Sequence, residues 1–179
     1  MRTGTELKGP IVIQPTVHGD DRGFFCETWR ESRMAELGIH HPFVQDNHSR
    51  STRGVLRGMH FQAGQAKLVR CARGSIVDVA LDLRRSSPTF GDWEAFELDD
   101  RQMMQVYVPV GFAHGFCVTS EVADVVYRCS TYYDPGLERA IRHDDPAVGI
   151  EWPNLELTVS PRDAGAPLLS EIAEGLPFD

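Results

Sequence analysis

The feature that most constrains this chain is a run of alternation over eight residues. Residues 76–83 read Ile-Val-Asp-Val-Ala-Leu-Asp-Leu, and Ser86, Ser87 and Pro88 then break the pattern. A period of two belongs to an extended strand and not to a helix. Stretches of the same kind lie at 55–61, 67–72, 93–98, 103–109, 115–119 and 122–132, each bounded by turn residues. Spacing of this order predicts a sandwich or barrel of antiparallel strands. One helix is expected over 31–37, closed by Gly38. After Trp152 the chain is richer in Pro and polar residues, so a tail is expected to wrap the surface, with a last helical turn near 170–174. No repeat, low-complexity tract or long charge block divides the sequence, and a single domain over 1–179 is expected.

Composition excludes several classes. Lys and Arg number 18 against 26 Asp and Glu, a net charge of −8. So acidic a chain has the wrong general field for nucleic acid or an anionic membrane. With 41% hydrophobic and 25% charged residues it can bury a core. The apolar run at 106–110 is too short to span a bilayer. Residues 1–10 include Arg2, Glu6 and Lys8 and lack the apolar stretch of a signal peptide. Cys26, Cys71, Cys117 and Cys129 have no C-x-x-C spacing and sit among β-branched or aromatic neighbours. Buried, reduced thiols in a cytoplasmic protein are expected.

Polar groups that interrupt the β pattern are the candidates for chemistry. Over 54–62, alternation puts Arg57 with Met59 on one face and Gly58, His60 and Gln62 on the other. Gly58 beside His60 leaves backbone room for a small molecule; a core histidine with a satisfied hydrogen bond fits the same pattern. Over 109–116, Pro-x-Gly-x-x-His sets His114 after a tight turn at the mouth of a barrel strand. Metal-binding cupins place a ligand there, beside an earlier H-x-H and a Glu. Here the earlier motif is His60-Phe61-Gln62, and Lys67 stands where the Glu is expected. Two ligands are replaced and a positive charge is added, so no metal is expected. Lys67 is one of only two lysines, the other being Lys8. Tyr127 lies within an apolar stretch, where packing with a satisfied hydroxyl is the usual reading. Asp163 by itself reads as an ordinary loop aspartate. Arg22, Glu27, Gln45, Asp46 and Asn47 are polar interruptions that a solvated face also explains.

Longer segments carry a resemblance. DDRGFFCE (20–27), FVQDNHS (43–49), GVLRGMHFQ (54–62), KLVR (67–70), VPVGFAHGF (108–116), YRCSTYYDP (127–135) and SPRDAGAPLL (160–169) follow one another in a family's order. Together they resemble the dTDP-4-dehydrorhamnose 3,5-epimerases. The resemblance implies a cupin-like jelly roll that forms a homodimer, with an N-terminal strand crossing to the partner. It implies epimerisation of dTDP-4-dehydro-6-deoxy-D-glucose at C3 and C5 to dTDP-4-dehydro-L-rhamnose. His60 becomes the general base, Asp163 its orienting partner, Tyr127 the acid on the opposite face and Lys67 the enolate stabiliser. Arg22, Glu27, Gln45, Asn47, Arg57, His114, Glu138 and Arg162 match positions that hold the nucleotide diphosphate or the sugar. Phe24 and Tyr132 match thymine-stacking positions, and Tyr133 follows as a further substrate contact. Met59 stands where Leu is usual and Cys26 where an aromatic is common.

The chemistry of such a substrate agrees with these residue types. A 4-keto group acidifies the hydrogens on both neighbouring carbons. A His of ordinary pKa ~6.5 suits a base at neutral pH. A protonated Lys stabilises an oxyanion without metal, nicotinamide or flavin, and no G-x-G-x-x-G opens a helix. Arg side chains bind a diphosphate locally despite the acidic total. The alternatives are an epimerase of one carbon only, a metal-dependent cupin oxygenase or isomerase, and a non-catalytic sugar-nucleotide sensor.

Overall fold

A computed structural model describes residues 9–179; residues 1–8, which hold most of the segment read above for a signal peptide, lie outside the described residues. The elements in chain order are β1 (Ile11–Ile13), β2 (Val17–Asp20), β3 (Gly23–Cys26), α1 (Glu31–Glu36), β4 (Gln45–Thr52), β5 (Val55–Gln62), β6 (Lys67–Arg73) and β7 (Ser75–Asp82). They continue as β8 (Trp93–Asp99), β9 (Gln105–Val108), β10 (Phe112–Val118), β11 (Val122–Cys129), β12 (Glu138–Ala140), β13 (Thr158–Val159), α2 (Pro161–Ala164) and α3 (Leu169–Ile172).

Two sheets face each other. One has the antiparallel order β1-β9-β6-β11-β4, the other β12-β5-β10-β7-β8, with β13 pairing in parallel on β5. From β4 to β11 the chain passes back and forth between the sheets, the jelly-roll arrangement of a cupin-like fold. Their inner faces share a core that includes Val69, Cys71, Ile76, Leu98, Val106, Phe116 and Val125. The outer face of the second sheet is buried as well: Met59, Phe61, Val79 and Leu81 pack against Leu169, Leu176 and Phe178 of the C-terminal tail. Both faces of β7 are therefore covered, Ile76 and Ala80 inward and Val79 and Leu81 outward. Its two aspartates, Asp78 and Asp82, are fully buried too. Asp82 is satisfied by Arg84, Ser87 and Thr89, so the residues that break the alternation fold back to bond it.

On the outer face of the first sheet, Ile13, Met34 and Ile39 cover Leu68 and Tyr107. Met34 is the buried residue of α1, and Gly38 follows the helix at φ +78. The expected helix over 31–37 and the turn near 170–174 are both present, the latter as α3 with a 3₁₀ turn at Ala173–Gly175. The short α2 was not foreseen; Ser160 caps it, its Oγ accepting from the Asp163 N–H. Cys71, Cys117 and Cys129 are buried free thiols, whereas Cys26, at the end of β3, is only half-buried. Among the described residues β2 and β3 join neither sheet and pair with each other alone, in a ribbon with Phe24 61% and Phe25 70% exposed.

Candidate active site

Between the sheets lies a cavity of about 490 Å3. Its polar lining starts from an irregularity in β5. His114 pairs with His60 and Phe116 with Arg57, so β5 spends one more residue than β10 over that interval. This bulge reverses the expected faces. Arg57 and His60 both line the cavity, while Met59 turns into the outer core. Gly58 sits at φ +146, and a Cβ there would come within 2.5 Å of the Gly115 Cα, so the position demands glycine. Gln62, expected on the His60 face, does not line the cavity. Its amide donates to Thr131 and to the Tyr132 carbonyl and accepts from the Asp134 N–H, anchoring the loop after β11.

Asp163, placed by α2, is no ordinary loop residue. It is buried, and its Oδ1 lies 2.7 Å from Nε2 of His60. Burial works to raise its carboxyl, but the His60 bond and charge, the Gly58 N–H and the Ser160 hydroxyl outweigh that and hold it below the usual carboxylate range. An ionised Asp163 accepting Nε2–H leaves the lone pair of a neutral His60 on Nδ1. The arrangement is that of a base whose tautomer a carboxylate selects. Next to it on β10, His114 forms a second such pair, Nε2 to Oδ2 of Asp78 at 2.7 Å.

The facing sheet contributes the complement. Lys67, at the start of β6, reaches to 3.5 Å from the His60 carbonyl. Burial pushes its ammonium pKa down, and Cys129, Glu138 and Asp78 act against that. Tyr127 on β11 lines the cavity, and burial pushes its phenol up, so it stays a protonated donor at neutral pH. His60, on β5, and Tyr127, on β11, thus line one cavity from opposite sheets. At the rim, Arg162 pairs with Glu138, both of them lining residues.

Other expected site residues are not in this cavity. Arg22 pairs with Asp20 on the β2–β3 ribbon, Phe24 is exposed there, and Glu27 pairs with Arg30 at 3.0 Å. They are off the cavity because the ribbon packs on neither sheet. Gln45 and Asn47 on β4 act as braces: Gln45 bonds Asn47 and the Tyr133 N–H, and Asn47 bonds the Cys129 thiol. Tyr132 and Tyr133 are 71% and 51% exposed, since β11 ends at Cys129 and Gln62 ties down the loop that follows. Sequence reasoning missed Ser49, which lines the cavity with its Oγ unbonded, and Asp78. Asp78 had one signal, an acid inside an otherwise apolar strand. Among the described residues no group of three His, Cys, Asp or Glu is arranged to hold a metal, and no helix is long and apolar enough to cross a membrane.

A family model described as dTDP-4-dehydrorhamnose 3,5-epimerase matches residues 4–171. The enzyme of that name from Salmonella typhimurium is 47% identical over 172 residues, covering 93% of this chain and 94% of its own. A dTDP-4-dehydrorhamnose 3-epimerase from Streptomyces niveus is 43% identical, with 92% and 82% covered. Among solved structures, a dTDP-6-deoxy-D-glucose-3,5-epimerase from Legionella pneumophila, in complex with dTDP-4-keto-L-rhamnose, superposes with a TM-score of 0.94 at 46% identity. That match covers 98% of this chain and 96% of the other.

Proposed function

Because the chain belongs to the dTDP-4-dehydrorhamnose 3,5-epimerase family, we propose that it is an isomerase that inverts C3 and C5 of dTDP-4-dehydro-6-deoxy-D-glucose. The single observation that carries this reading is the placing of His60, with its carboxylate, and Tyr127 on opposite walls of one cavity. Inversion needs a proton removed from one face of the sugar and returned to the other.

His60 takes the proton from the carbon beside the ketone through Nδ1, and Asp163 supports the imidazolium that forms. The C–H electron pair forms a double bond to C4 as the carbonyl π pair moves onto the C4 oxygen, where Lys67 stabilises the enolate. Tyr127 delivers a proton from the other side, and solvent restores both groups. Every proton in this sequence has a side chain to carry it, so the chemistry calls for no redox partner or cofactor. Arg57 and Arg162 are the cations suited to the diphosphate.

The β2–β3 ribbon supports a homodimer. An isolated two-stranded ribbon is marginal in water, and this one exposes two phenylalanines. Docked on a second copy, it brings Arg22, Phe24 and Glu27 to the partner's cavity, with Phe24 against the base. The chain acts as a single cytoplasmic domain.

Incubation with dTDP-4-dehydro-6-deoxy-D-glucose in D2O, with deuterium located by NMR, tests the reading. Label at both C3 and C5, with the L-rhamno product, is expected. Label and inversion at one carbon alone assigns the narrower activity of the Streptomyces niveus relative's name. No exchange at either carbon refutes the assignment.

A further inference from the structure

A buried carboxylate oxygen that bonds to nothing calls for an explanation. Asp78 is fully buried on β7; its Oδ2 holds Nε2 of His114 at 2.7 Å, and among the described residues its Oδ1 has no hydrogen-bond partner. Asp82, on the same face of the same strand, is the internal contrast. It is equally buried, but Arg84, Ser87 and Thr89 neutralise it on the spot. Asp82 is a structural acid whose charge is spent locally, whereas the charge of Asp78 is not.

Two cavity groups face that charge. His114 stands directly across from His60 in the β10–β5 pairing, and its Nε2 is committed to Asp78, which leaves Nδ1 for the cavity. Lys67 comes from the opposite sheet, and the field of Asp78 favours its ammonium form against burial. One carboxylate therefore addresses both walls, fixing the His114 tautomer that leaves Nδ1 as an acceptor and facing the ammonium of Lys67.

We propose that Asp78 is a positioning residue for the deprotonation step: it fixes the orientation and tautomer of His114 so that Nδ1 is presented to the sugar in the cavity that Lys67 shares. The inference rests on the epimerase reading above. Negative charge reaches the C4 oxygen as His60 removes the proton, and the groups around the sugar are effective only if they are aimed beforehand. A fixed anion supplies that preparation without a movement in the step itself.

Asp78→Asn keeps the size and an acceptor for His114 and removes the charge. Epimerisation and deuterium exchange at C3 and C5 should fall together by ~10²-fold, with KM and dTDP affinity kept within about threefold. The alkaline limb of the exchange rate should also move to lower pH, because Lys67 then loses its proton more readily. The titratable groups facing Lys67 are Cys129 from β11, Glu138 from β12 and Asp78 from β7, and Tyr127 and the two histidines share its cavity. Exchange measured in the Tyr127→Phe background takes the phenol out of that limb. A residue that merely holds the core would lower the melting temperature and leave kcat and the limb in place, which overturns the proposal. If Asp78→Asn does not fold, His114→Gln decides: loss of exchange with dTDP affinity retained supports the role, and retained exchange overturns it. Wild-type protein that exchanges nothing removes the epimerase reading itself, an outcome distinct from an Asp78→Asn variant as active as wild type.

Discussion

Replacing Tyr127 with Phe separates the two halves of the reaction. The ring of Tyr127 packs against the inter-sheet core, and its phenol lies in reach of the influence of Asn47. Phe keeps the ring and its buried area, so the structural loss is at most one hydrogen bond, about 0.5–1.5 kcal/mol. For a chain of this size that lowers Tm by roughly 1–6 °C. The chemical loss is of a different order. Removing a general acid slows inversion by ~10²–10⁴-fold, about 3–5 kcal/mol of barrier. His60, Asp163 and Lys67 remain, so a proton can still be removed and a solvent proton returned to the same face. In D2O, followed by NMR, the variant should take up deuterium at C3 or C5 with less than a tenfold loss while its epimer formation falls a hundredfold or more. Equal losses in both rates, whether small or large, would refute the role given to Tyr127. Small equal losses would mark it as packing, and large ones as a residue that positions the sugar.

His60→Asn should abolish exchange and inversion alike, by ~10²–10⁴-fold, while dTDP affinity measured by calorimetry stays near wild type; turnover above half of wild type would show that the base is another residue. Phe24→Ser with Phe25→Ser should weaken the dimer in sedimentation and lower dTDP affinity at least tenfold. Wild-type chain that sediments as a fully active monomer at micromolar concentration would contradict that prediction. Stability should fall in acid with a defined sign. Arg50, through its hydrogen bonds, holds the Asp124 carboxyl down at about 2, against ~3.9 in an unfolded chain. Asp124 therefore contributes stability in full above pH ~4 and loses it as pH falls through about 2, as Asp163 does in the same direction. Urea midpoints between pH 5 and 2.5 should slope less steeply in Asp124→Asn, and an unchanged slope would exclude Asp124 as a source.

The strands readable from the sequence are those with at least one apolar face. β7 announced itself because Val79 and Leu81 meet the tail while Ile76 and Ala80 meet the inner core. β4 escaped because it has no apolar face. Asp46, His48, Arg50 and Thr52 point to solvent, and Asn47, Ser49 and Ser51 point toward the polar cavity and its braces. Periodicity placed Arg57 opposite His60, since alternation cannot anticipate an extra residue in one strand of a pair. The roles proposed for His60, Lys67, Tyr127 and Asp163 were legible only through the family's motifs. Residue type alone favoured a structural reading for His60 and Tyr127, left Lys67 balanced and made Asp163 an ordinary loop aspartate. Asp78 was hidden by its own regularity, because an acid at every fourth place in an alternating strand looks like a water-facing rim.

The tail has a consequence for how this chain is completed. β13 docks on β5, α2 carries Asp163 to His60, and Leu169, Leu176 and Phe178 cover the greasy back of the barrel. One segment thus supplies both the partner of the base and the seal over the exposed sheet. Removing residues 158–179 would leave strands β4 to β11 in the chain, yet it would strip His60 of its carboxylate and bare Met59, Phe61, Val79 and Leu81 to water. The proposed activity and the solubility of the barrel therefore hang on the same short stretch.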